Sequence, residues 1–523
     1  MRVKLSALIR AIETRRVRDP NPSRRDPDIR SLHYRAQEVA PGGLFVAVPG
    51  LKSDGHDFVR MALDRGAAAL VVQRPVTCDG LTIEVRNSRR ALAAMAAAFC
   101  EHPSERMSVI GITGTNGKTT TSFLLESMLA RAGLKTGVIG TINYRFGGRV
   151  FENPVTTPES LDLQRILAEM QADGVTHVIL EVSSHAIDLD RIYGCRFEVG
   201  IFTNLSQDHL DYHGDMEAYW ACKKRFFTDM LASRIGGRSR AVINAEDAKG
   251  RELLQALACE TISTGCSPDC AVRAGRIDSR PNGISGILTT PDGETPFTSA
   301  LVGAYNLENI LSAAGAAAAL GLGPERIRTG IEGLAHVPGR LERIADAAGR
   351  SVYVDYAHSP QALSNVLALL RSMAAGRLIC VFGCGGDRDQ TKRPKMGVIA
   401  AEFSDLAIVT SDNPRTEAPL AIIDQIVAGI RQACPYEYAP AHRAGDFHHK
   451  GYAVEPDRRR AIRLAVQAAR AGDTVLIAGK GHETVQWIGG QATDFDDRRE
   501  AMTALVRQGH DRQSNGSSQG WRS

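Results

Sequence analysis

The chain has 523 residues, more than one ordinary domain needs, which predicts two to four domains. An apolar share of 43%, sparse aromatics and plentiful Ala and Gly favour soluble α/β layers over a disulfide-stapled or fibrous design. The formal charge of +4 is near balance, and the arginines between Arg15 and Arg35 read as a solvated face, which leaves no electrostatic footprint for nucleic acid.

The opening MRVKLSALIRAIETRRVRD has neither the continuous apolar stretch nor the cleavage site of a secretory signal, and no apolar run reaches the ~20 residues of a membrane span. Ten cysteines lie between Cys78 and Cys434 without a Cys-x-x-Cys pair. Cys266/Cys270 and Cys380/Cys384 lack the second ligand pair of a zinc site, so all ten read as reduced thiols. A cytoplasmic protein with no membrane partner is expected.

Residues 1–105 read as a small α/β unit with strands GLFVAVPG (Gly43 to Gly50) and AAALVV (Ala67 to Val72), closed by a linker at His102-Pro103-Ser104. Residues 106–337 open on the strand MSVIGIT, turn through glycines into the helix SFLLESMLARAG, and continue through VIG, THVILEVSS, VGIFTN and AVINAED. Helices between buried strands predict a mostly parallel sheet, with an Ala-rich helix from Leu311 to Leu320 near its end. Residues 338–508 repeat the pattern with SVYVDYA, RLICVFG, LAIVTSD and DTVLIAG, a doubly wound, Rossmann-like arrangement. Residues 509–523 are polar and unpatterned and are expected to be a disordered tail.

Gly111-Ile-Thr-Gly-Thr-Asn-Gly-Lys-Thr-Thr120 falls between a predicted strand and a helix. In such a turn backbone N–H groups face phosphate oxygens and the helix N-terminus adds its positive dipole end. Lys118 would reach the β/γ-phosphates and the Thr119 hydroxyl a Mg²⁺ ion. Ile112 breaks the strict G-x-x-x-x-G-K-[ST] spacing. A ligand-free turn is the weaker reading, because Lys-Thr follows the glycines in the right context.

Phosphoryl transfer needs further oxygen ligands. Glu181 ends the apolar strand THVILE, where α/β sheets place ligand contacts, although an edge salt bridge would explain it equally well. The stretch Thr203 to Phe227 gathers His209, Asp211, His213 and Lys223. Any one histidine is better explained as a structural imidazole; the cluster favours a site.

At this point the motifs GTNGKTT, EVSSHA, TNLSQDHLDYHG, GAYNLENILSAAG, PGRLE, DYAHSP, FGCGGDRDQTKRPKMG, SDNPR and GKGHE together resemble the Mur ligase family, in the family's order and across residues 40 to 485. The resemblance implies a UDP-binding N-terminal domain, a central ATPase domain and a Rossmann-like C-terminal domain that takes the amino acid. It also implies a reaction of cell-wall precursor synthesis, coupled to cell shape and division. The D-Glu γ-carboxylate of UDP-MurNAc-L-Ala-D-Glu attacks ATP, and an amine then displaces phosphate from the acyl phosphate. The small-molecule substrates and Mg²⁺ are the partners this implies, for a monomer.

By resemblance Gly114, Thr115, Asn116, Gly117, Lys118, Thr119 and Thr120 cradle ATP, with Asn306 on the adenine side and Arg340 and Asp355 arriving as the C-terminal domain closes. Thr119 and Glu181 serve one Mg²⁺, His209 helps to hold another, and Lys223 matches the family's carbamylated lysine. Lys118, Glu181, His209 and Lys223 are thus the catalytic set. His358 shares a motif with Asp355 and takes no assigned role. Thr156, Thr157, Ser183 and Arg191 contact the dipeptide substrate.

DNPR resembles the diaminopimelate-adding type. Meso-diaminopimelate carries a second amino-acid head that lysine lacks. Arg388 and Arg415 would grip its distal carboxylate, Asp412 and Glu483 would take its ammonium with the Gly479 carbonyl assisting, and Asn413 and Pro414 complete the diaminopimelate-binding set that the resemblance implies. Two departures stand out. Leu189 replaces a Gln common two residues before Arg191. The Asp-Ser-Arg expected before the V-x-P-G-D-L-F segment is absent, which leaves Ser31 as the substitute for the UDP contact.

A folylpolyglutamate-type or lysine-adding ligase is opposed by DNPR and the first domain. A P-loop switch that makes no amide would not need DNPR with GKGHE. Gly383 to Asp389 lacks the G-x-G-x-x-G spacing of a dinucleotide fingerprint.

Overall fold

The computed structural model describes residues 2–20, 26–50, 53–231, 239–280, 282–439 and 447–516, with side chains to residue 507. Three main sheets occupy successive stretches of chain.

The first sheet runs Thr14–Arg18, Thr82–Val85, Ala69–Val72, Gly43–Val46, Ser31–His33, parallel except at the first pairing. Its apolar strands are buried on both faces, as parallel strands must be, and Ala-rich helix Ser88–Phe99 packs on it. Asn87 caps that helix by accepting from the Arg89 and Arg90 amides. Glu101 and His102 both have φ near +55°, which breaks the helix before the 3₁₀ turn Pro103–Glu105 and marks the expected linker.

The second sheet has eleven strands. Its parallel core is ordered Thr136–Ile139, His177–Glu181, Ser108–Thr113, Val199–Phe202, Arg240–Asn244, Glu260–Gly265. The strand entering the glycine turn therefore lies between two later strands, with Glu181 level with Ile112 and Phe202 with Thr113. That reversal of strand order is where open α/β sheets bind ligands, beyond the carboxyl ends. An antiparallel meander, Val272–Arg280, Gly283–Thr290 and Gly293–Ser299, extends one edge. It is not anticipated from the sequence. The Ala-rich helix begins seven residues earlier than expected, at Ala304–Ala319, which brings Asn306 into its first turn.

The third sheet is ordered Glu342–Ile344, Ser351–Asp355, Thr474–Ala478, Leu378–Phe382, Leu406–Val409, Gly451–Val454, Glu437–Tyr438, parallel apart from its first strand. All four expected strands are present, and the last of them inserts between the first two. A further hairpin, Val485–Ile488 with Gln491–Asp494, projects beyond it. The last helix, Asp497–Gly516, runs past residue 509, so the expected tail is helical as far as 516; the rest of it lies outside the described residues.

The units meet through polar contacts. Tyr34 donates to Asp162 at 2.6 Å and Arg89 pairs with Glu159 at 3.1 Å. From the third unit, Arg340 donates to Thr119 at 3.2 Å, Thr391 accepts from Gln207 at 3.1 Å, and Lys395 donates to Gln207 at 2.7 Å. All ten thiols are free, and among the described residues no helix is long and apolar enough to cross a membrane.

Candidate active site

The glycine turn is held open by its own geometry. Gly114 and Gly117 have φ of +148° and +87°, and a Cβ on either would run into Thr203 Oγ1 or Asn309 Oδ1. Lys118 folds back to donate to the Gly114 and Thr115 carbonyls, each at 2.9 Å. Burial pushes its ammonium pKa down against the pull of Glu181 and Asp208. Thr119 donates to Glu181 at 3.0 Å and Thr141 does so at 2.7 Å. Glu181 is 1% exposed and held by hydroxyls, with no ion pair among the described residues, so the edge-salt-bridge reading fails.

Lys223 lies on helix Met216–Arg225, capped by Asp215. It is 1% exposed, donates to Gly114 O at 2.9 Å, and sits 4.7 Å over the Tyr219 ring. Burial, then the Lys118 charge, drives its pKa well below the usual lysine range, which favours a neutral amine. The neighbouring Lys224 donates to Glu252 at 3.2 Å.

His209 is left-handed at φ +55°, and burial lowers it to about 3 although Asp208 lies 3.6 Å away. His185, its ring 5.1 Å from that of His209, is lowered to about 4 by burial and His213. Asp208 was missed by sequence reasoning, hidden beside two more conspicuous histidines. Burial alone would raise its pKa; the His358 hydrogen bond and the His209, His358 and Lys392 charges outweigh that and hold it well below the usual value. His358 and Lys392, at 3.7 and 3.9 Å, reach it from the third unit.

The hydroxyl of Thr119 and the carboxylate of Glu181 are oxygen ligands that suit Mg²⁺. Among the described residues no three His, Cys, Asp or Glu groups form a ready-made metal cluster. A Mg²⁺ ion would need further oxygen ligands, and the buried Lys223 amine group faces the same turn.

A cavity of about 480 Å³ joins Thr115 to Thr120 with Asn306, Arg340 and Asp355, so the structure brings the expected nucleotide residues together across two units. Asn306 is anchored to Val302 O at 2.8 Å. Arg340 stacks 4.4 Å over Tyr356, and Asp355 accepts from the Leu341 and Ala357 amides at 2.6 and 2.7 Å.

A second cleft, about 1330 Å³, is lined by Thr156, Thr157, Ser183 and Arg191 on one wall and Arg388, Asp412, Asn413, Arg415, Gly479 and Glu483 on the other. Asp208, His209, Tyr356 and His358 line both spaces, so the two meet there. Thr157 accepts from Ser183 N at 3.0 Å and Arg191 donates to Thr157 O at 3.0 Å. Burial lowers the Arg415 pKa, with Arg388 adding to it, which places the two guanidinium groups in each other's field. Burial raises Asp412, whose Oδ1 has no partner.

Two expected residues stand outside the lining of this cleft. Pro414 does not line the cleft; its carbonyl accepts from Glu417 N at 3.1 Å and lies over Gly386. The Ser31 hydroxyl is taken by His33 Nε2 at 2.7 Å, while Tyr34 and Arg35 line a neighbouring cavity of about 620 Å³ that also reaches Arg191.

Burial, then Arg340, lowers His482 to about 3, with its ring 5.0 Å from Tyr356. A histidine kept neutral on folding adds stability that is complete above its unfolded value near 6.5 and is lost as pH falls from there toward 3. His482→Leu is expected to flatten the acid side of a stability–pH curve measured by urea unfolding; an unchanged slope between pH 6 and 4 contradicts this.

Comparison with known proteins gives concordant results. Residues 28–100 match the Mur ligase family catalytic domain, 112–317 the Mur ligase middle domain and 339–481 the Mur ligase glutamate ligase domain. The chain is 50% identical to the UDP-N-acetylmuramoyl-L-alanyl-D-glutamate–2,6-diaminopimelate ligase of Geobacter metallireducens over 91% of this chain and 94% of that protein. It is 42% identical to the Bacillus licheniformis ligase of the same name over 92% and 95%. A solved ligase of that name superposes with a TM-score of 0.67 at 31% identity, over 98% of this chain and 100% of that one. Folylpolyglutamate synthase of Mycobacterium tuberculosis shares the fold at 19% identity and TM-score 0.60, over 75% and 92%.

Proposed function

The chain belongs to the Mur ligase family, and from that premise we propose how its residues perform the reaction. It is an ATP-dependent acid–amino-acid ligase of peptidoglycan precursor synthesis, joining 2,6-diaminopimelate to UDP-N-acetylmuramoyl-L-alanyl-D-glutamate. The proposal concerns the meso isomer, the γ-carboxylate of D-Glu, the residues below, and a cytoplasmic monomer divided at residues 105, 337 and 508.

Two anions must approach each other. The triphosphate lies along the glycine turn, where Lys118 swings from the Gly114 and Thr115 carbonyls to the β/γ-phosphates, and Asn306, Arg340 and Asp355 hold the nucleoside end and close the cavity. Thr157, Ser183 and Arg191 orient the dipeptide so that its carboxylate reaches the junction of the two spaces. The Lys223 amine takes up CO₂, forming an N–C bond and releasing a proton, and becomes a carbamate. One Mg²⁺ would be held by Thr119 and Glu181 and a second by His209 with that carbamate, and these ions would supply charge neutralisation at the transferring phosphoryl group. The carboxylate oxygen attacks the γ-phosphorus and ADP leaves. The amine of diaminopimelate, aligned by the far wall, then attacks the acyl carbon and phosphate leaves. His358 Nε2, 3.7 Å from the Asp208 carboxylate across the junction, helps to fix the closed arrangement in which this occurs.

The observation that carries this reading is the single cleft that places Arg415, Asp412 and Glu483 opposite Arg191 and Thr157, next to the nucleotide cavity. The test is phosphate release with UDP-MurNAc-L-Ala-D-Glu and meso-diaminopimelate, L-lysine or no amino acid. Release only with diaminopimelate supports it; release with lysine alone removes the Arg415 assignment; equal release in all three removes coupled ligation.

A further inference from the structure

Lys480 has no exposed side-chain surface. Its Nζ donates to Asn413 Oδ1 at 3.1 Å, Glu483 Oε2 at 2.9 Å and Val485 O at 2.6 Å. These acceptors belong to three different segments, the DNPR loop, the GKGHE turn and the hairpin Val485–Ile488/Gln491–Asp494. The next residue of the hairpin, Gln486, is buried and donates to the backbone carbonyl of Asp412 at 2.7 Å. Trp487 then donates its amide to Asn413 Oδ1 at 3.1 Å and accepts from the Arg415 amide at 3.0 Å. The hairpin thus pairs with the DNPR loop as an extra strand would, and Arg415 is held at φ +55°, a conformation a free arginine disfavours.

We propose that Lys480 and Gln486 are positioning residues of the amino-acid subsite: they lock the hairpin to the DNPR loop and so set Asp412 and Arg415 for the distal head of the incoming amino acid. Lys480 also occupies the Glu483 carboxylate, which Asn413 Nδ2 shares at 2.8 Å. Asp412, with its unpartnered Oδ1, is left as the free acceptor in the cleft. One ammonium is therefore wanted, not two, and the paired arginines 388 and 415 call for a carboxylate beside it. The inference rests on the diaminopimelate reading above.

Neither residue touches the nucleotide cavity or the dipeptide wall. A positioning role therefore predicts a split among substrates that a general loss of structure would not give. Wild-type enzyme is assayed first; if it shows no diaminopimelate-dependent phosphate release, the functional reading fails before this one is reached. In Gln486→Leu, KM for meso-diaminopimelate is expected to rise about tenfold while KM for ATP and for the dipeptide substrate stays within about twofold, the scale of one buried hydrogen bond. In Lys480→Met the rise is larger, and the preference for diaminopimelate over L-lysine, as a ratio of kcat/KM, falls by about 10²-fold. Gln486→Glu, which keeps shape but loses the donor, should resemble Gln486→Leu. Should Lys480→Met fail to fold, the two Gln486 variants carry the test. KM values that rise in step for all three substrates, or that do not move, overturn the proposal.

Discussion

Lys223→Ala is expected to lose activity by roughly 10²–10³-fold in kcat, the scale seen when one preorganised charge-stabilising group is removed from a phosphoryl or acyl transfer site. The expectation starts from burial. A lysine 1% exposed, facing Gly114 O and the Lys118 ammonium, is costly as a cation and is driven toward the free amine. On the proposed reading a free amine in that place would take up CO₂ and present two acidic oxygens toward the turn that Thr119 and Glu181 also face. Alanine removes the amine, so bicarbonate added to the assay should raise the activity of CO₂-depleted wild type and leave the variant unchanged. Lys223→Arg should be no better, because a guanidinium stays charged and cannot be carbamylated. Near-wild-type turnover in Lys223→Ala would remove the metal-site assignment.

The parts of the fold that could be read in advance are those whose signal is local. Strands such as His177–Glu181 and Leu378–Phe382 are continuous apolar runs because helices cover both faces, and the glycine turn announces itself by composition. The meander Val272–Arg280 to Gly293–Ser299 was not legible, because residues 275–280 of its first strand are all exposed and show no apolar alternation. Within the site, chemistry-bearing types at strand ends were visible: Glu181 and Asp355 are each the last residue of a parallel strand. Partnerships were not. Glu483 seemed free to bind an ammonium, yet Lys480 and Asn413, the latter 70 residues away in sequence, already hold it. Asp208 gains its meaning only when the third unit brings His358 and Lys392 against it. Ser31 was chosen by its type in place of a missing motif, and the fold gives its hydroxyl to His33.

Arg415→Ala is expected to lower kcat/KM for meso-diaminopimelate by about 10²–10³-fold while changing that for L-lysine less than tenfold. The Arg415 guanidinium is half-buried, tied at one nitrogen to Gly386 O at 2.7 Å, and faces the field of Arg388. Two cations forced together in a partly desolvated wall repel, and a bound carboxylate relieves that repulsion as well as accepting hydrogen bonds. Lysine brings no such group, so the repulsion persists and the donors stay unpaired, the condition under which sites reject a truncated analogue by roughly 10⁴-fold. Loss of Arg415 therefore penalises diaminopimelate and leaves lysine nearly indifferent, and the two specificity constants converge. Arg415→Lys should not restore the preference, because a single ammonium cannot make the forked contact. The strained backbone offers no alternative explanation for such a result, since alanine and lysine must adopt the same φ of +55° as the arginine they replace. Equal losses for both amino acids would show that Arg415 supports the cleft as a whole and does not read the distal carboxylate.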